Sequence, residues 1–145
     1  MTTEKIDGHG TPGTGAIIET TGAGKVQLNV SVGGAQFLAD EAVETVGLGT
    51  GPTPYDLLCS ALAACTAMTL RLYAAQKGWD APHIRVQVTH EKIKDQTPPD
   101  RFSRQITIEG SFDDTQRARL LEIAGRCPVH RTLEQGSKIE TSEVR

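Results

Sequence analysis

Aromatic residues make up only 4% of this 145-residue chain: one Trp, two Tyr and three Phe. Proteins that hold single-stranded nucleic acid stack its bases on such rings, and this chain has few to offer. The formal net charge is −3, and no run of basic residues is longer than a pair, so a phosphate-neutralising face is missing too. No nucleic-acid partner is expected. Long hydrophobic runs are also absent. The longest, Ala61–Cys65, falls far short of the ~20 residues of a membrane span, so no membrane partner is expected either. Residues 1–16 hold acids, Gly and Pro but no apolar stretch, which reads as a flexible tail rather than a secretory leader. A cytoplasmic location is therefore expected, where thiols stay reduced and a cysteine pair is more often catalytic than structural. Three cysteines, an odd number, fit poorly with a disulfide framework.

Other absences narrow the chemistry. There is no nucleophile elbow, no P-loop and no dinucleotide fingerprint after a strand, so no cofactor is expected. His130 stands three residues after Cys127, but two ligands without a CxxC or HxxxH companion do not make a zinc site. His9, His83 and His90 fall in the tail or at strand positions without companions, so no metal is expected.

Hydrophobic residues at 37% and charged residues at 23% describe an ordinary globular chain, and residues 17–145 are expected to form a single domain. Ile17–Thr20 reads as a short strand. Lys25–Val32 alternates, with Val26, Leu28, Val30 and Val32 on one face, and Gly33-Gly34 offers a tight turn into Ala35–Asp40. Thr53 and Pro54 supply a hydroxyl N-cap and a proline at the first helical position, opening a helix to Lys77 with Gly78 as terminator. That helix is apolar around most of its circumference. It asks for burial on nearly all sides, more than a chain of this size can give alone, so a second copy is expected to cover it. Strands are predicted over His83–Lys94 and Arg101–Phe112, the latter with Phe102, Ile106 and Ile108 in phase. A helix over Thr115–Gly125 capped by Asp113 or Asp114, a short helix from Pro128 and a last strand over Ser137–Thr141 complete the order β-β-β-α-β-β-α-α-β, an α+β class.

Cys65 and Cys127 are the candidate reactive residues. Cys127 precedes Pro128, so it becomes the N-cap of a short helix, where free N–H groups and the dipole favour a thiolate; Arg126, His130 and Arg131 add positive charge. A cysteine that merely precedes a loop proline explains the local pattern equally well. Cys65 lies mid-helix among Ala63, Ala64, Ala67 and Met68, and taken by itself it reads as a small core residue whose thiol desolvation holds protonated. Cys59 is six residues earlier, about 120° round the helix and ~9 Å along it, too far for a disulfide within one straight helix. Asp56 is the third helical residue and reads as a capping-box acid. Its functional alternative is a carboxylate that orients an activating cation, although nine residues set it on the face opposite Cys65 in a straight helix.

The stretch GPTPYDLLCSALAACTAMTLRLYAAQKGW resembles the long helix of the OsmC/Ohr family, and GRCPVHRTL resembles its second cysteine motif. The wording AMTLR and CPVHRTL is similar to the OsmC-like branch rather than the organic hydroperoxide resistance branch. The resemblance covers residues 17–142 and implies an OsmC-like fold: an intertwined homodimer, central helices wrapped by antiparallel sheets, with two sites at the subunit interface. It implies a thiol-dependent peroxidase acting on organic hydroperoxides, with Cys65 as the peroxidatic and Cys127 as the resolving cysteine, reset by a dithiol reductant such as a lipoyl group. Two positions depart from the family pattern. Tyr55 stands where the family carries a glutamate, and Asp56 is its nearest replacement. The family's activating arginine lies in the N-terminal sheet region, whereas the first arginine here is Arg71. The cation would then come from Lys25, Arg71, Arg131 or the partner chain. Two rival readings remain: an OsmC-fold binding or scaffold protein with an apolar interface pocket, and a thiol–disulfide exchange protein.

Overall fold

The computed structural model describes residues 15–145. Residues 1–14, which carry most of the expected tail and His9, lie outside the described part. The chain divides into two compact units, Met1–Leu57 and Leu58–Arg145.

The first unit is an antiparallel sheet of β1 (Ala16–Thr20), β2 (Leu28–Val32) and β3 (Ala35–Ala39), in that spatial order. Ile18 faces Val30, and Val30 faces Phe37. The turn between β2 and β3 uses Gly33 and Gly34 with φ of 53° and 78°, the left-handed pair that a two-residue hairpin requires. β2 starts later than its alternation predicts. Gly22 and Gly24 take positive φ, and the Thr21 backbone N–H and hydroxyl close a loop onto Gln27, which removes Lys25 to Gln27 from the ladder. Of this sheet's apolar residues, Val30 and Ala39 are buried, while Ile17, Ile18 and Val32 stay exposed.

The loop after β3 is organised by Asp40, which is buried. Its carboxylate accepts from the backbone N–H groups of Glu41, Leu48 and Thr50 at 2.8, 3.1 and 3.2 Å, and from the Thr50 hydroxyl at 2.6 Å. These donors, the Thr50 hydroxyl foremost, hold the Asp40 carboxyl below its usual value. Close backbone approach explains two glycines: a Cβ at Gly47 would overlap the Glu41 carbonyl, and one at Gly51 would overlap that of Leu38.

Helix α1 (Pro54–Gln76) begins in a capping box. Thr53 N–H donates to the Asp56 carboxylate at 2.9 Å, and Asp56 N–H donates to the Thr53 hydroxyl at 3.1 Å. Leu62, Thr66, Leu70 and Ala74 are buried, a single stripe at four-residue spacing. Leu58, Met68 and Leu72 remain exposed, so the chain by itself does not enclose this helix. An 18-residue window of α1 has mean hydropathy 1.5, enough by length and composition to cross a bilayer. Counting unbroken runs missed this because Ser and Thr interrupt them. A core helix of a globular domain passes the same test, and the α1 stripe is packed into a protein core.

In the second unit β4 (His83–Lys92) and β5 (Asp100–Glu109) form an antiparallel hairpin. One face carries Ile84, Val86, Val88 and His90 from β4, and Phe102, Arg104, Ile106 and Ile108 from β5; Val88 pairs directly with Arg104. Leu70 of α1 and Leu120, Ile123 and Ala124 of α2 (Asp114–Ala124) make the core, with Tyr73, Trp79, Ile84, Ile106 and Ile108 packed around them. Asp113 caps α2 in a reciprocal box with Gln116. Helix α3 (Pro128–Gln135) follows at once and stops at Gly136, φ 79°.

The fold is thus α+β, as expected, with a second correction beside the late start of β2. No strand forms over Ser137–Thr141; residues 137–145 carry no regular structure. A strand needs a hydrogen-bonded neighbour, and Ile139, the one apolar side chain of that segment, is 86% exposed.

Candidate functional site

Cys65 and Cys127 come together in the second unit. Cys65 lies on α1, one position before the buried stripe residue Thr66, and is partly exposed. Cys127 is the N-cap residue of α3 and is fully buried at 0% exposure. None of the three cysteines is in a disulfide, and Cys127 stands close enough to Cys65 to push its thiol toward the protonated form. Cys59, on α1, is half-buried.

Two further groups act on the Cys65 thiol, both toward the thiolate: the backbone N–H of Val129 in the first turn of α3 and the Thr69 hydroxyl one turn along α1. An N-cap side chain normally takes an N–H of that turn. Cys127 makes no such side-chain bond. The positive end of the α3 dipole acts on Cys65 in the same sense as Val129. This effect is outweighed. Burial pushes the Cys65 thiol up, Cys127 pushes it further, and the Val129 and Thr69 donors only pull part of the way back. The net direction is upward, which favours the protonated thiol at Cys65.

A second polar cluster adjoins the pair in sequence on both helices. Arg104 of β5 donates from Nη1 to the Thr66 hydroxyl at 3.0 Å and from Nη2 to His130 Nδ1 at 3.2 Å. A guanidinium has donors only, so Nδ1 accepts and the ring proton sits on Nε2, which donates to Glu134 at 2.9 Å. Thr66 in turn donates to the Leu62 carbonyl at 2.6 Å. Sequence reasoning passed over Arg104. The signal was present: position 104 is in phase with Phe102, Ile106 and Ile108, and a charge on the core face of a strand needs a partner.

The other candidates are placed as follows. Asp56 closes the cap of α1 with Thr53 in the first unit. Arg131 is exposed on α3, its backbone N–H bonded to the Cys127 carbonyl at 3.2 Å. Arg71 is exposed on α1, where it lines an open groove of about 470 Å³ with Ala67, Met68, Leu72, His83 and Ile84. Lys25 is exposed in the loop before β2. Among the described residues no group of three or more His, Cys, Asp or Glu is arranged to hold a metal ion.

Comparison with solved structures places the fold. A protein of Psychrobacter arcticus, described as an osmotic stress induced and detoxification response protein, superposes with a TM-score of 0.67 at 23% identity, over 81% of this chain and 85% of that one. An OsmC-like protein of Mycoplasma pneumoniae gives a TM-score of 0.65 at 22% identity, over 83% and 84% of the two chains. The organic hydroperoxide resistance protein OhrB of Bacillus subtilis gives 0.59 at 17%, over 81% and 87%. At these identities the likeness is one of fold. No match was found among curated protein sequences. The family model for OsmC-like protein matches residues 47–142, a span that holds both cysteines, Arg104 and His130. The chain belongs to the OsmC-like protein family.

Proposed function

We propose that this protein is a thiol-dependent peroxidase for organic hydroperoxides, with Cys65 as the attacking thiol and Cys127 as the resolving one. The observation that carries this reading is the pairing of a partly exposed thiol with a fully buried one close enough to act on it. A peroxide arriving from solvent meets Cys65, while Cys127 is shielded by its burial. The family membership and the hydroperoxide resistance named for the Bacillus subtilis neighbour agree with this chemistry.

Cys65 loses its proton and attacks the outer peroxide oxygen. The O–O bond breaks, and the alkoxide leaves as alcohol after taking a proton. Cys65 is then a sulfenic acid. The thiolate of Cys127 attacks that sulfur, hydroxide leaves as water after protonation, and a Cys65–Cys127 disulfide remains. An external dithiol, of which a lipoyl group is one example, reduces it by two thiol–disulfide exchanges. The upward-shifted Cys65 thiol makes the first step slow at neutral pH, so modest turnover belongs to the proposal.

The working form we propose is a cytoplasmic homodimer. Met68 and Leu72 are each 65% exposed on an otherwise apolar helix, and Ile17 and Ile18 of the first sheet are open as well. Patches of this kind are seldom left uncovered. Cys65→Ser should abolish consumption of cumene or t-butyl hydroperoxide, and wild-type turnover by that variant would refute the reading. The same pairing of a partly exposed and a buried thiol also serves a second reading, thiol–disulfide exchange without peroxide, in which oxidised dithiols but not hydroperoxides close the pair.

A further inference from the structure

We propose that Arg104 is the positioning residue of the thiol pair, a clamp that holds α1 and α3 at the separation disulfide closure needs. The proposal rests on the reading that Cys65 and Cys127 work as a couple, but not on what oxidises them. Arg104 has one guanidinium nitrogen on Thr66, the residue after Cys65, and the other on His130, in the first turn of the helix that Cys127 caps. One planar fork thus ties the backbone neighbourhood of each thiol to β5. Arg104 is part-buried on the core face of its strand, opposite Val88, where a charge is retained only with its donors engaged. Each acceptor is itself held in the orientation the fork requires. The Thr66 hydroxyl donates onward to the Leu62 carbonyl, which leaves its oxygen facing Arg104, and Glu134 keeps the His130 proton on Nε2, which leaves Nδ1 free to accept.

Disulfide geometry is strict, with Cα atoms usually 4.4–6.8 Å apart, so a small loosening between the two helices lowers the fraction of time in which the sulfurs can join. Arg104 touches neither a reacting atom nor a substrate in this account. It acts by keeping Cys127 within reach of Cys65.

The test uses the intact protein equilibrated with oxidised and reduced dithiothreitol. Cys65 attacks the oxidised reagent, Cys127 displaces its second sulfur, and the reagent leaves as the dithiol with both protons. The closure equilibrium is read by mass spectrometry after alkylation, with thermal unfolding measured alongside. Arg104→Met should lower the closure constant at least tenfold, and Arg104→Lys should recover part of it. Thr66→Val, which removes one acceptor at nearly constant shape, should lower it several-fold with little change in Tm. The proposal is overturned if Arg104→Met and Thr66→Val close like wild type. It is equally overturned if closure falls only in proportion to Tm with no recovery in Arg104→Lys, or if the wild-type pair does not close at all. Cumene hydroperoxide consumption is followed in parallel. A wild type that closes with dithiothreitol yet ignores hydroperoxide refutes the peroxidase reading, and the variants still decide on the clamp.

Discussion

The backbone N–H of Val129, in the first turn of α3, draws the thiol of Cys65 toward its thiolate, across from one helix to another. The helix that Cys127 begins thus supplies a donor to the other thiol of the pair. An N-terminal arginine is missing from this chain, and the start of α3 is the positive element found at Cys65 instead. It is weaker than an ion, and burial together with Cys127 wins over it.

A pH dependence follows from that balance. Alkylation of Cys65 by iodoacetamide should rise with pH and inflect above the ordinary thiol value of 9.0. Cys127→Ala removes the upward influence of that neighbour, so the inflection should move down. An unchanged inflection would mean that Cys127 does not hold the proton. Stability runs in the opposite sense. The part contributed by protonated Cys65 is fully present below 9.0 and is lost as pH rises through the raised folded value.

Asp56 can be separated from the chemistry. Asp56→Asn keeps an oxygen that accepts from the Thr53 N–H, so helix start and hydroperoxide turnover should both persist. Thr53→Ala should cost about 1 kcal/mol of stability through loss of the cap. Turnover lost in Asp56→Asn with unchanged Tm would move Asp56 from the cap into the reaction.

The loop of the first unit predicts an acid-sensitive element. Asp40 has a lowered carboxyl, so its contribution is present above the ordinary value of 3.8 and lost as pH falls through the lower folded value. Asp40→Asn should lower Tm at neutral pH and flatten its decline in acid. Gly51→Ala, which drives a methyl into the Leu38 carbonyl, should destabilise by about 1–3 kcal/mol or more.

In the second unit Leu70, fully buried against Leu120, Ile123 and Ala124, is the core residue to test. Leu70→Ala should cost roughly 2–5 kcal/mol in urea unfolding, whereas Leu72→Ala, on the exposed side of the same helix, should cost a lone protomer little. A large loss for Leu72→Ala that depends on protein concentration would support the proposed dimer.

Local physics made much of this fold readable. Thr53-Pro54, Asp113 and the Gly33-Gly34 turn act within a few residues, and each element they bound is present near its expected place. The start of β2 was misplaced because the Thr21–Gln27 closure competes with alternation. The final strand was overcalled because alternation says nothing about a neighbouring edge. At the site, motif wording singled out Cys65 and Cys127, but their proximity and the Val129 donor depend on tertiary approach that no spacing encodes. Arg104 was legible in principle, as a charged residue between Phe102 and Ile106 in phase with Ile108, yet its partners on α1 and α3 were not.

The central claim is that Cys65 and Cys127 are one redox couple driven by organic hydroperoxide. Its most direct test is mass spectrometry of the fully reduced protein after a single equivalent of cumene hydroperoxide. The account predicts a species lighter by two hydrogens whose proteolytic map joins the Cys65 and Cys127 peptides, and no such species in Cys65→Ser. Recovery of both thiols unmodified, with the hydroperoxide intact, would contradict it.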